Sequence, residues 1–319
     1  MWDYYAYGLH IRSEMEMPEL LSVGQHSGSN GLLGDPPDVV VHVGSVIPPR
    51  QEEMRQRYYS HADATGFYYF VSDVGGLLVQ HGNSITVAPE NGPGGDNIRH
   101  LVSGIGMGLV LHQRGKLGLH GSAVNIEDGV VAFIGWKGMG KSTTTAALHS
   151  RGYPVITDDL LVIDIKGENI MVQPAFPGLK LLPEAAIAAL GDDPEQLPKL
   201  HPDGEKRERR VQDKFASETI PMRAIYVLDY CEPGESSSIE PLSAREAWVE
   251  LTRHAFGLRI LGSAGDTPEF LQLRALLAQR IPVKRFKRER RLEGLSEIVD
   301  MVEKDLGVYS PTEAAAGKE

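Results

Sequence analysis

The sequence is short of the residues that would staple the chain, anchor it in a bilayer or draw it to a polyanion. One of its 319 residues is a cysteine, Cys231, so no disulfide can form within the chain. That suits a reducing compartment, and a cytoplasmic location is expected. No apolar run approaches the about 20 residues that a spanning helix needs, so no membrane contact is expected. The opening Met1-Trp2-Asp3-Tyr4-Tyr5 has no basic segment followed by an apolar one, the pattern of a secretory leader. Basic residues are outnumbered by acidic ones, 32 to 43, and the net charge of −11 disfavours nucleic acid as a partner. What is plentiful is ordinary: 41% hydrophobic and 24% charged residues, enough for a sizeable core in one large domain or two smaller ones.

One stretch stands out. Gly135-Trp136-Lys137-Gly138-Met139-Gly140-Lys141-Ser142 reads G-x-x-x-x-G-K-S, directly after the apolar run Val130–Ile134 and directly before Thr143-Thr144-Thr145-Ala146-Ala147-Leu148. A strand, a glycine loop and a helix start in that order are what a P-loop requires. The glycines let backbone N–H groups converge on phosphate oxygens, and the helix N-terminus adds its dipole. Residues 135–143 are therefore expected to hold the phosphates of ATP, with Lys141 on the β- and γ-phosphates and the Ser142 hydroxyl on Mg²⁺. No N-K-x-D guanine-reading motif accompanies it, which disfavours a GTPase.

Residues 1–97 are expected to form a small, mostly β domain. Strand-like runs occur at Asp38–Val43, Phe67–Val71, Leu77–Gln80 and Ser84–Val87, separated by turn residues such as Gly34-Asp35-Pro36-Pro37 and His81-Gly82-Asn83. Gly92-Pro93-Gly94-Gly95-Asp96 marks the boundary. The run from Ile98 to Gln113 is predicted helical, its Gly104-Ile105-Gly106-Met107-Gly108 serving close packing. Residues 98–309 are assigned to the second domain, and 310–319 to a disordered polar tail.

Two strands precede the glycine loop, Leu119–Ile126 and Val130–Ile134. Asp128-Gly129 is the favoured two-residue turn, which pairs Glu127 with Val130 and brings His120 opposite Lys137, beside the phosphate site. A one-residue slip would turn His120 to the other face. After the loop helix, Pro154-Val155-Ile156-Thr157 is expected to be a short strand parallel to Val130–Ile134 that delivers Asp158-Asp159 to the same edge of the sheet. One carboxylate there can hold Mg²⁺ and the other take a proton from an attacking hydroxyl.

The close succession of His120-Gly121, Gly135–Ser142 and Asp158-Asp159 resembles the catalytic domain of HPr kinase/phosphorylase, a bacterial protein-serine kinase similar in core to ATP-dependent PEP carboxykinases. The resemblance implies an α/β fold with a P-loop kinase core of that type. It also implies Asp159 as the base assisted by His120, Asp158 nearer the metal, and Lys141 on the phosphates. Leu119–Val124, Lys141–Leu148 and Pro174-Ala175-Phe176-Pro177-Gly178-Leu179-Lys180-Leu181 further resemble the HPr-kinase-related enzymes of lasso-peptide clusters, with Tyr7-Gly8-Leu9 and Pro18-Glu19-Leu20 as looser echoes. That likeness implies a peptide or small-protein substrate with an acceptor serine, most closely the C-terminal serine of a precursor peptide. The glycine-rich second signature of HPr kinases is absent after the Asp pair, so phosphorolysis and a homo-oligomeric, hexameric assembly are not implied with equal force.

Other residues carry alternatives. Lys180 is a candidate for substrate or phosphate contact, and Glu184 for the metal site. Asp229, ending the apolar run Met222–Leu228, is a rival metal-holding carboxylate, and Arg253 a candidate for charge stabilisation. Asp192–Gln212 reads as an exposed loop, and the basic run Lys284–Arg291 as either a solvated face or a docking patch for an acidic group. The readings in other classes are a nucleotide-dependent regulatory module without an acceptor, and a small-molecule kinase or carboxykinase-like enzyme.

Overall fold

Two adjacent left-handed residues, Tyr7 (φ 55°) and Gly8 (φ 74°), fold the start of the chain back on itself, pairing strand Trp2–Ala6 with Leu9–Ser13. In this computed structural model residues 1–25, 35–49, 57–90, 95–201, 204–232 and 234–308 are described; most of the boundary loop near residue 92 and the 310–319 tail lie outside them. Val39–Val43 runs parallel to both Leu9–Ser13 and Ser84–Pro89, and Gly75–Gln80, Phe67–Val71 and Tyr58–Ala62 continue the sheet antiparallel. Leu21–Ser22 completes it on the far edge. The strands at 2–6, 9–13, 21–22 and 58–62 were not anticipated. Leu9–Ser13 is almost wholly buried on both faces, so its sequence lacks the alternation that betrays a half-exposed strand.

The helical run Asp96–Gln113 packs on this sheet, with a π-helical turn at Val102–Gly106 between two α-helical pieces. Gly106 and Gly108 do serve close packing, whereas Gly104 faces open space. A Cβ on Gly108 would meet the Phe256 ring at 2.3 Å, and one on Gly106 would meet Leu77 at 3.2 Å. The apolar core beneath joins Ile11, Val41 and Leu77 to Val110, Leu160, Val162 and Phe176. The Tyr7 N–H also donates to the Pro174 carbonyl at 2.8 Å. Residues on either side of the expected boundary therefore share one core.

The second sheet orders its strands Gly129–Ile134, Leu117–Ile126, Val155–Lys166, Asn169–Gln173, Ile220–Tyr230, Val283–Arg288 and Ser238–Pro241. Ile220–Tyr230 also pairs in parallel with Gly129–Ile134, so the hydrogen bonding closes back on the first strand. Helices Lys141–Arg151, Pro183–Leu190 and Leu295–Leu306 share one apolar cluster with Phe133 and Tyr226. Ala247, Leu251, Phe270 and Leu277, from helices Ala244–Arg253 and Pro268–Arg280, pack into another with Ala132 and Ile225. The fold is mixed α/β with several sheets. Among the described residues no helix is long and apolar enough to cross a membrane.

Three sequence readings need correction. The hairpin turn is Glu127-Asp128, not Asp128-Gly129: both residues are left-handed (φ 48° and 58°) and Gly129 pairs with Ile126. Gly129 is needed within the strand, because a Cβ there would meet Arg223 at 2.8 Å. Moving the turn by one residue shifts the register by two, which slides His120 along the sheet without changing its face. Second, the strand after the loop helix runs on to Lys166, so Asp158 and Asp159 stand within it rather than at its end. It does point the same way as Gly129–Ile134, since each is antiparallel to the strand between them. Third, Asp192–Gln212 is not all exposed loop. Arg207–Arg210 is a strand paired with Gly178–Leu181, and Arg207 is buried.

Candidate functional site

Six apolar, fully buried residues carry strand Gly129–Ile134 to Gly135, where the chain turns out of the sheet. Gly135, Gly138 and Gly140 take φ of 153°, 91° and 71°, a course open to few residues with a Cβ. Gly140 has a further reason: a Cβ there would lie 2.5 Å from an Arg288 nitrogen. Helix Lys141–Arg151 starts immediately, with no side chain capping its N-terminus. The amides of a first helical turn have no partner within their own helix, so this start offers donors and a positive dipole end. Lys141 folds back over the loop, its ammonium donating to the carbonyls of Gly135 (2.9 Å) and Trp136 (3.3 Å). Burial lowers its pKa to about 8, against the pull of Asp158.

A cleft of about 590 Å³ opens over this loop. Strand register brings the carboxylates into it. Asp158 lies opposite Ser122, and Asp159 opposite Gly121. One Asp158 oxygen accepts hydrogen bonds from the hydroxyls of Ser122 (2.6 Å) and Ser142 (2.7 Å); the other accepts the Lys180 backbone N–H at 2.7 Å. Asp159 is held at φ 134°, a conformation that costs a residue with a Cβ about 1–3 kcal/mol. The kink is braced from inside by the Thr157 hydroxyl, which donates to the Leu160 carbonyl at 2.7 Å.

The twist turns Asp159 toward two partners. Its Oδ1 lies 3.2 Å from His120 Nδ1 and its Oδ2 2.8 Å from Lys180 Nζ. Burial pushes this carboxyl up, but the Lys180 ammonium and then the His120 hydrogen bond overturn that and hold it well below the usual range. Reciprocally, burial alone would lower the Lys180 pKa, and Asp159 raises it. The His120 backbone is held from behind, its amide N–H donating to the His254 carbonyl at 2.8 Å. The His254 ring is buried, and that burial, with Lys141 nearby, lowers its pKa to about 4, so it is neutral at ordinary pH.

His120, Lys137, Gly138, Gly140, Lys141, Ser142, Thr143, Asp158, Asp159, Lys180 and Glu184 all line the cleft. Three loop residues do not. Gly135 supplies a carbonyl to Lys141, and Met139 packs against the apolar cluster under the helix. Trp136 is half exposed, its ring set edge-on to His254 at 5.1 Å. Asp229 is also elsewhere: it accepts the Tyr230 N–H and faces Arg285 at 3.4 Å. Arg253 pairs with Glu250. The basic run divides. Lys284, Arg285 and Lys287 pair with Asp305, Asp229 and Glu235, while Arg288, Arg290 and Arg291 line the cleft.

Several cleft residues escaped the sequence reading. Ser122 had a signal, since it is two residues from His120 on one strand and shares its face. Tyr230 had none, and Arg288 was marked only as part of the basic run 284–291. They meet because their strands pair in register, with Arg288 over the Tyr230 ring at 5.4 Å, the Tyr230 hydroxyl on the Gly138 carbonyl at 2.8 Å and the Arg288 guanidinium on the Met139 carbonyl. Arg288 is almost fully buried, and burial lowers its pKa. Together they buttress the glycine loop from behind.

The oxygens gathered at Asp158, Ser122 and Ser142 are hard ligands, the kind Mg²⁺ takes. No cluster of three or more His, Cys, Asp or Glu with metal-holding geometry occurs among the described residues. Asp158, Ser142 and Ser122 would be the residues to hold such an ion.

No family model matches the chain. Over 53 residues, 17% of its length, it is 42% identical to the HPr kinase/phosphorylase of Prosthecochloris aestuarii (strain DSM 271 / SK 413), and the match spans only 16% of that relative. The structure of the Hpr(Ser) kinase/phosphatase from Coxiella burnetii aligns with 59% of this chain and 95% of its own at 12% identity, with a TM-score of 0.30, too loose a superposition to bear on the fold.

Proposed function

We propose that this chain is an ATP-dependent serine kinase with a P-loop core of the HPr kinase type. One observation carries the reading: the Asp159–His120–Lys180 cluster faces Lys141 and Ser142 across a single cleft. A nucleotide switch needs the loop but has no use for a carboxylate and an imidazole held ready for an incoming hydroxyl. The short likeness to an HPr kinase/phosphorylase points the same way.

In this reading residues 135–143 hold the triphosphate, and Lys141 leaves the Gly135 and Trp136 carbonyls for the β- and γ-phosphates. Asp158 and Ser142 hold Mg²⁺, which offsets phosphate charge when bound. Asp159, positioned by His120, accepts a hydrogen bond from the acceptor serine and takes its proton. The serine oxygen bonds to the γ-phosphorus as the bond to the bridging β-oxygen breaks, and ADP leaves. Phosphoryl transfer is mostly positioning and charge stabilisation, so a strongly ionised carboxylate suffices as the orienting group. Lys180 lies where a γ-phosphate can compete for it, which would release Asp159 toward the acceptor. For the acceptor itself we propose a serine on a peptide, in particular the C-terminal serine of a lasso-peptide precursor. The segment Pro174–Leu181, which carries part of that resemblance, is the one that brings Lys180 to Asp159.

The test is incubation of the full chain with Mg-ATP and candidate peptides, with and without a terminal serine, followed by mass spectrometry. Phosphate gained on serine supports the reading; ATP consumed with no acceptor labelled, whatever the peptide, overturns it in favour of a regulatory ATPase.

A further inference from the structure

The cleft does not stop at the phosphate loop. Beside Thr143 it has an apolar side, formed by Leu182 and Ala185 where helix Pro183–Leu190 begins and by Leu292 and Leu295 where helix Leu295–Leu306 begins. Both helices pack against Lys141–Arg151. Ala185 and Leu295 are buried beneath this side, and Leu182 and Leu292 offer its surface. Leu179 and Leu181 turn into the core, whereas Leu182 is left 38% exposed. An exposed leucine in a cleft whose other walls are charged is an unmet apolar surface, continuous with the phosphate site.

Lys137 and Lys141 stand on the loop and Lys180 at Asp159, cations suited to phosphate; Lys206, Arg290 and Arg291 also line the cleft. Glu184, two residues after Leu182, and Glu293, directly after Leu292, line the cleft as well, neither with an ion-pair partner among the described residues. Arg291, close in sequence, pairs with Glu289 and Glu297. Two carboxylates repel polyphosphate, while leucine faces favour a flat, uncharged ring, and the carboxylates can accept hydrogen bonds from its N–H groups.

We propose that Leu182 and Leu292, over the buried Ala185 and Leu295, form the nucleobase subsite of the nucleotide whose phosphates the loop holds, with Glu184 and Glu293 at its rim. The proposal rests on the nucleotide-kinase reading and adds the part of the ligand that the loop does not explain.

Titration calorimetry of the full chain with magnesium and either ATP or inorganic tripolyphosphate separates the two. The wild-type protein is expected to bind ATP about tenfold or more tighter than tripolyphosphate, as apolar burial of a base would provide. Leu182→Gln, at a half-exposed position, and Leu292→Gln should each remove much of that difference and leave tripolyphosphate affinity unchanged, which also shows that the fold is intact. Equal wild-type affinities for the two ligands, or variants that bind ATP as wild type does, overturn the subsite while sparing the phosphate site. Variants that alter only the KM of a peptide acceptor overturn it too, giving the slot to the acceptor. A wild-type protein that binds neither ligand removes the nucleotide reading itself.

Discussion

The Lys180 ammonium lies 2.8 Å from one oxygen of Asp159, a residue 21 positions earlier in the chain. The backbone N–H of the same lysine donates to Asp158. One residue from the Gly178–Leu181 strand thus touches two adjacent carboxylates, one through its side chain and one through its backbone. Their roles can differ for that reason: Asp158 is locked among hydroxyls and an amide, whereas Asp159 faces two groups that a ligand can displace.

Replacing Asp159 with Asn keeps the shape and removes the charge. Transfer to a peptide serine should fall by about 10²–10⁴-fold, the usual contribution of a positioned acid–base group. ATP affinity should stay within a few-fold of wild type by calorimetry. A variant that transfers phosphate at the wild-type rate would remove Asp159 from the chemistry.

Lys180→Met tests the neighbour. The Asp159 pKa is held down against its own burial, first by Lys180. Without that ammonium it rises, and the carboxylate protonates at higher pH than before. The acid limb of the kcat/KM profile should therefore move to higher pH in the variant, with activity at alkaline pH less affected. An acid limb that stays in place means the group titrating there is not Asp159.

Lys141 offers a test in the other direction. Burial lowers its pKa to about 8, so in the free protein it is increasingly neutral above that pH. A bound triphosphate favours the ammonium and raises the pKa again. Between about pH 8 and 10 ATP binding should then take up protons, approaching one per site. Calorimetry in buffers of different ionisation enthalpy reads this directly. Uptake that persists unchanged in Lys141→Met assigns the proton to another group.

Gly140→Ala should weaken ATP binding more than tenfold. The alanine must adopt φ 71° and its Cβ must displace Arg288, which approaches to 2.5 Å. Adding Arg288→Ala relieves the collision but not the backbone cost, and it frees the Met139 carbonyl. Partial recovery of thermal stability without recovery of ATP affinity is the expected double-mutant result. Strictly additive losses would mean that the two residues do not meet.

Local chemistry made much of this site readable. The glycine spacing, the Lys-Ser pair and the buried strand before them define a loop whatever packs around it, because φ restrictions and helix-start amides are properties of a few consecutive residues. Asp158 and Asp159 were legible one helix and one strand after the loop; His120, on the strand before Gly129–Ile134, was expected beside it with its facing left open. The hairpin turn was misplaced by one residue because Glu127-Asp128 and Asp128-Gly129 are each acceptable to the local backbone. In the turn that forms, Gly129 enters the strand opposite Ile126, where Arg223, from a strand far along the chain, leaves no room for a side chain.

Sequence alone determined the glycine loop at the helix start and the residue types near it, since those follow from short-range sterics and spacing. The tertiary structure decided which charges meet. It sent Asp229 to Arg285 and split one basic run between surface pairs and cleft. It also carried Lys180 to Asp159, and Arg288 to the back of the glycine loop. Such meetings depend on strand order and register, which are fixed by burial across the whole sheet rather than by any neighbouring residues.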